Sequence, residues 1–142
     1  MKITICGSSK FRHEMVEHMK KLENLGHKAI VHEHYIKSVA GTMPELMERV
    51  HREHATLKRE QNYIKWYHNA IQNSDAILVL NFDKNGVKNY IGGNTLMEIG
   101  FAHVNNKKVF LLNPVPENVS YVDEIKAMVD LVIDGDLCKI KL

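Results

Sequence analysis

Cysteine is scarce in this chain, and so is any imbalance of charge. Only Cys6 and Cys138 are present, each in or beside an apolar strand-like run. That excludes a disulfide-stapled secreted scaffold and leads us to expect two buried free thiols in a reducing cytoplasm. The formal net charge is +2, too small to argue for a nucleic-acid groove or an anionic membrane surface. No apolar run approaches the ~20 residues a membrane span requires. No charged leader followed by an apolar stretch precedes the first strand-like segment, so nothing suggests export. Cys-x-x-Cys and His-Glu-x-x-His spacings are missing, which leaves no sequence signal for a metal site. Internal repeats and low-complexity segments are missing too.

What is present is ordinary globular material. Hydrophobic residues make up 44% and charged residues 25% of 142 residues, which fits one domain spanning residues 1–142. Lys2–Cys6 alternates, is β-branched and meets Gly7-Ser8-Ser9, a strand stopping at a turn. Lys10–Leu25 carries Met15, Met19 and Leu22 at helical spacing and closes at Gly26. Lys28–His32 reads as a second strand. Strand, Gly/Ser turn, helix, strand is the opening of a doubly wound sheet.

A helical insertion over about residues 42–73 departs from a minimal α/β pattern. Thr42 and Pro44 look like a helix start, and Leu46, Val50, Leu57, Ile64 and Ile71 recur at mostly seven-residue steps. The spacing predicts one long helix or two in series. Its apolar stripe needs a cover, either a second subunit, giving a homodimer, or the chain's own sheet. Ala76–Leu80 is a continuous apolar run, expected of a central parallel strand buried on both faces. Asn81–Gly93 is a long polar loop, Asn94–Asn105 a helix, Lys108–Leu112 a strand, Tyr121–Met128 a short helix and Leu131–Ile133 a last strand. The expected fold is α/β: a doubly wound, five-stranded, mostly parallel sheet with helices on both faces.

In such sheets ligands bind beyond the carboxyl ends of the strands. Gly7, Ser8 and Ser9 lead into a helix N-terminus, where free amides and hydroxyls suit a phosphate, or where serine simply caps the helix. Gly92, Gly93, Asn94 and Thr95 precede Glu98. A glycine pair lets backbone approach a ligand closely. Thr95-x-x-Glu98 is also a capping box, so Glu98 is either a site residue or half of a cap. His32-x-His34 and the pair His51 and His54 could contribute zinc ligands, the plainer reading being solvated or core histidines. Trp66 and Tyr67 suit core or interface.

These segments resemble the nucleoside 2-deoxyribosyltransferase superfamily, and within it the 2′-deoxynucleoside 5′-monophosphate N-glycosidases. The likeness is carried by Ile5-Cys6-Gly7-Ser8, by Asn73–Leu80, by Gly93–Ala102 and by Lys107–Leu112. The Gly-Gly-x-Thr-x-x-Glu run is also similar to phosphoribohydrolases that release bases from nucleoside monophosphates. The resemblance implies that Glu98 is a nucleophile on the anomeric carbon, after which water or a second base releases the sugar. It implies no cofactor, a small nucleotide or nucleoside rather than a nucleic-acid polymer as ligand, and a site completed by a neighbouring subunit. Where the transferases often carry an aspartate, this chain has Gly92. Where the glycosidases carry an acid on the helix before the central strand, it has Tyr67 beside His68, which become the residues available to move protons. A non-catalytic nucleotide sensor on the same fold is the alternative.

Overall fold

The computed structural model describes residues 1–41 and 62–141. In chain order the elements are β1 (Lys2–Gly7), a 3₁₀ turn (Ser9–Phe11), α1 (Arg12–Asn24), β2 (Lys28–Ile30) and α2 (Glu33–Val39). Then come α3 (Tyr63–Gln72), β3 (Ala76–Leu80), α4 (Gly93–Val104), β4 (Lys108–Leu111), α5 (Val122–Met128), β5 (Leu131–Val132) and a second 3₁₀ turn (Leu137–Lys139).

The sheet has five strands in the order β2-β1-β3-β4-β5. Every pairing is parallel, so the expected mostly parallel sheet is wholly parallel. β3 is buried at all of its positions, Ala76-Ile77-Leu78-Val79-Leu80, as a strand covered on both faces must be. It pairs with β1 from Ile3↔Ala76 to Gly7↔Leu80. The chain winds one way from β1 to β2 and the other way from β3 through β5. Right-handed crossovers therefore place α1 on one face and the later helices on the other. α1 packs on β1 and β2, while α4 packs on β1, β3 and β4 between α3 and α5.

Local chemistry sets the ends of these elements. α1 closes in a Schellman arrangement, Gly26 N–H donating to the Glu23 carbonyl at 3.0 Å and His27 N–H to the Leu22 carbonyl at 3.1 Å. The Ser74 hydroxyl donates to the Ala70 carbonyl and lies 2.8 Å from Thr4 Oγ1, which ties the end of α3 to β1. A Cβ at Gly7 would stand 3.0 Å from the Leu80 carbonyl oxygen, so only glycine fits where β1 leaves the sheet beside β3. At the carboxyl edge Asn81, fully buried, accepts from Asn113 N–H at 2.9 Å and donates to the Asn113 and Pro114 carbonyls at 2.9 and 3.0 Å. The loops after β3 and β4 are thereby locked to each other.

Four sequence expectations change. Cys6 is buried, but Cys138 is exposed in the last 3₁₀ turn, because the chain there has left the sheet. His32 and His34 are not on a strand: β2 stops at Ile30, His32 caps α2, and His34 lies within it. One helix continuous to Asn73 is ruled out at its far end, since Asn62 adopts φ 54° and α3 starts afresh at Tyr63. The restart shifts the buried face to Tyr63, Tyr67 and Ile71 and leaves Ile64 exposed. Leu46, Val50 and Leu57, on which the expected subunit contact rests, lie outside the described residues, as do His51 and His54. Among the described residues no helix is long and apolar enough to cross a membrane.

The Asn81 lock gives a stability prediction. Asn81→Leu strands the Asn113 N–H and two carbonyls in a buried edge, and denaturant unfolding should show a loss of about 2–4 kcal/mol. Asn113→Ala leaves its own backbone groups bonded to Asn81 and should lose about 1 kcal/mol.

Candidate active site

Glu98 is a carboxylate in the wrong place for a cap. In a capping box Thr95 would stand just outside the helix and Glu98 would accept its N–H. Instead Gly92 occupies the extended cap position, no side chain caps α4, and both Thr95 and Glu98 lie within the helix. Glu98 is only 3% exposed. Burying a carboxylate is expensive, and proteins keep one buried where its charge has a use.

Groups from three other elements converge on it. The Glu98 charge raises the pKa of Cys6 on β1, Tyr35 on α2 and Tyr67 on α3, in each case adding to the larger effect of burial. At neutral pH the Cys6 thiol and both phenols therefore hold their protons. The Tyr67 hydroxyl faces the backbone of His32 without forming a hydrogen bond of good geometry among the described residues. The site thus consists of one buried carboxylate and protonated neighbours, at the carboxyl edge of β1 where the winding of the sheet reverses.

Beside it stands an aromatic cluster built around His32. Its ring lies 4.5 Å from both His34 and Trp66, 4.8 Å from Tyr63 and 6.3 Å from Tyr67, centroid to centroid. His32 Nδ1 accepts the His34 N–H at 3.0 Å, which makes His32 the cap of α2. His34 Nδ1 in turn pairs with the Tyr63 hydroxyl at 2.7 Å, and burial pushes Tyr63 up to about 12. Burial first, then His34, lowers His32 to about 4, against an opposing pull from Glu33. Its imidazole is thus neutral, as an acceptor at Nδ1 requires. Among the described residues no group of three or more His, Cys, Asp or Glu side chains could hold a metal ion.

On the other side lies the loop after β3. Lys84 and Val87 form a hairpin with Asn85 and Gly86 at its tip, at φ 52° and 76°, values of a type I′ turn. The hairpin carries the Lys84 ammonium to Ser8 Oγ at 2.9 Å and over the Tyr90 ring at 5.0 Å. Tyr90 covers Gly92 so closely that a Cβ there would stand 2.6 Å from its hydroxyl. Beyond Gly92, a Cβ at Gly93 would meet nothing, so the first residue of α4 faces open space. Ser8 is linked in this way, through Lys84 and Tyr90, to the N-terminus of α4. Asn94 is half-buried and Thr95 buried. Ser9 offers its carbonyl to Arg12.

This architecture recurs among solved structures. The structure of Clostridium botulinum CMP N-glycosidase, BcmB, matches with a TM-score of 0.54 at 17% identity, covering 94% of this chain and 88% of that chain. A likeness at that identity shows a shared fold. No protein-family model matches the chain, and no curated protein matches it by sequence.

Of the residues singled out from the sequence, the structure brings Tyr67 to Glu98. His68, the next residue on α3, turns to Phe101 instead, with ring centroids 4.8 Å apart. Sequence reasoning passed over Tyr35 and Lys84. Tyr35 sits in a short helix that no strong periodicity announced. Lys84 had one usable signal, because Lys84-Asn85-Gly86-Val87 is a hairpin sequence.

The buried, neutral His32 makes stability depend on pH. In the unfolded chain it takes a proton near 6.5, whereas folded it resists until about 4. The unfolded state binds more protons between those values, so stability is complete above about 6.5 and falls as pH drops toward 4. His32→Asn keeps a capping side chain but removes the titration. Thermal melts should show a shallower acid decline in this variant, by about 2–3 kcal/mol across the window.

Proposed function

We propose that this protein binds a nucleoside 5′-monophosphate and cleaves its N-glycosidic bond, with Glu98 as nucleophile. The observation that carries the reading is the burial of Glu98 among Cys6, Tyr35 and Tyr67, in a helix position that capping does not explain. The fold shared with a CMP N-glycosidase supports it.

The chemistry is that of a retaining glycosidase. A Glu98 oxygen attacks C1′, the C1′–N bond breaks, and its electron pair leaves with the base, which takes up a proton. The transition state carries oxocarbenium character, which an ionised carboxylate in a dry site stabilises. Water, or a second base in an exchange reaction, then displaces Glu98 and releases the sugar phosphate. Tyr67, held protonated, has its one hydroxyl proton to donate to the sugar and does not accept a proton at neutral pH. Gly7, Ser8, Ser9 and the residues from Gly92 to Thr95 receive the phosphate end.

A nucleotide-sensing module is the second reading, and one observation favours it. The described groups that the Glu98 charge reaches are a thiol and two phenols, all pushed toward holding their protons. None is an acid of carboxylate strength.

Glu98→Gln separates the readings. It preserves shape and removes the attacking charge. Base release from a panel of ribo- and deoxynucleoside monophosphates should fall by about three orders of magnitude or more, with nucleotide binding retained. Tyr67→Phe should lose about 10–100-fold. Tight binding without base release by the unmodified protein decides for the sensor, and equal turnover by Glu98→Gln rejects the nucleophile.

A further inference from the structure

The tip of the hairpin after β3 carries a reactive pair. Asn85-Gly86 is the one Asn-Gly sequence in the chain. The carboxamide carbon of an asparagine can close a five-membered ring with the backbone nitrogen of the next residue. Glycine in that next position obstructs the ring least, because it has no side chain and the freest backbone. Whether the ring closes in a folded protein depends on the fold. The nitrogen and the carboxamide must both be free of hydrogen bonds, and water must reach them.

Asn85 meets these conditions. Asn85 and Gly86 are exposed. Among the described residues neither the Asn85 carboxamide nor the Gly86 N–H has a hydrogen-bond partner. A Cβ built on Gly86 would meet nothing, so the space around the nitrogen is open. The turn is closed by a single residue pair. Lys84 N–H donates to the Val87 carbonyl at 3.0 Å, and Val87 N–H to the Lys84 carbonyl at 2.9 Å. So few bonds let the tip leave its left-handed conformation, as ring closure requires, without disturbing the sheet.

Two other sites show what protection looks like. Asp134-Gly135 has the same left-handed backbone, at φ 49° and 80°, and an aspartate can close the same ring. Its Gly135 N–H, however, donates to the Leu112 carbonyl at 2.9 Å. At Asn73-Ser74 the Asn73 amide donates to the Asn69 carbonyl at 2.9 Å, and Ser74 N–H donates to the Ile71 carbonyl at 3.0 Å. Of these three pairs only Asn85-Gly86 has both reacting groups free.

We infer that Asn85 is a site of spontaneous deamidation that releases the hairpin from Ser8. The Gly86 nitrogen attacks Asn85 Cγ and gives up its proton. The bond from Cγ to the carboxamide nitrogen breaks, and ammonia departs. Water then opens the succinimide at one carbonyl to leave aspartate, or at the other to leave isoaspartate, whose main chain runs through Cγ. Both products add a negative charge beside Lys84. Isoaspartate also lengthens the main chain by a methylene inside a two-residue turn, which type I′ geometry does not hold. The Lys84–Val87 pair then opens and withdraws the ammonium that meets Ser8 Oγ at 2.9 Å. The inference does not depend on what Glu98 does.

Peptide mapping by mass spectrometry, after the full chain has been incubated in mildly alkaline buffer, tests the site. Residue 85 should convert at least about tenfold faster than Asn73 or Asp134, whose reacting groups must first break hydrogen bonds. Isoaspartate should be the larger product. In the isoaspartate fraction, hydrogen exchange at the Lys84 and Val87 amides should speed up by about tenfold or more. Asn85→Gly keeps a sequence suited to the turn and has no carboxamide to react. Its exchange should stay constant through the same incubation, with circular dichroism checking that it is folded. An Asn85 that reacts no faster than Asn73 or Asp134 overturns the site. Isoaspartate at residue 85 with unchanged exchange at Lys84 and Val87 overturns the release, as does equal loosening in Asn85→Gly.

Discussion

The parallel pairing of β1 with β3 is the constraint on which the rest of this molecule depends. It runs from Ile3↔Ala76 to Gly7↔Leu80, and both strands are buried in the middle of the sheet. The chain winds outward from this pair in opposite directions, which makes their carboxyl ends the switch point of the sheet. The candidate groups after β1 and β3 gather at that end. Ser8 and Ser9 follow β1, the Lys84 hairpin follows β3, and α4 begins where the β3 loop returns to the sheet. Gly7 shows how tight the pairing is at this end, because no side chain fits against the Leu80 carbonyl.

The buried Glu98 carboxylate is the second consequence of that geometry. It reaches Cys6, Tyr35 and Tyr67 electrostatically from α4 because α4 lies on β1 and β3 and against α3. A charge so placed adds to the effect of burial in keeping its neighbours protonated. The rings around His32 shield the same side from water, and His32 must stay neutral to cap α2. Carboxylate, phenols and aromatic cluster are thus parts of one arrangement. A change in protonation at any of them alters the field felt by the others.

Much of the fold was legible in the sequence. Lys2–Gly7, Ala76–Leu80 and Lys108–Leu111 are strands because β-branched and apolar runs of that length, stopped by turn residues, have few other ways to bury themselves. α1 and α4 were readable from spacing, and Glu98 stood out because the segment that carries it resembles the glutamate helix of the deoxyribosyltransferases. The failures are local. Seven-residue spacing suggested that Ile64 continued an apolar stripe, but the left-handed turn at Asn62 resets the helical phase, and Tyr63 and Tyr67 take the buried face. His32-x-His34 looked like one side of a strand, but β2 ends two residues earlier and the pair became a cap and its neighbour.

By itself, then, the sequence determined the elements and their order, since periodicity, turn residues and β-branching act over a few neighbours along the chain. It also determined that a carboxylate would follow a glycine pair into a helix after the central strand. Only the tertiary structure decided that Thr95 and Glu98 do not cap that helix, that Tyr67 reaches Glu98 while His68 turns to Phe101, and that Lys84 meets Ser8 from 76 residues away. Those facts depend on which face of each helix the sheet covers and on where a hairpin folds back. Both are set by long-range packing, which leaves no trace in local spacing.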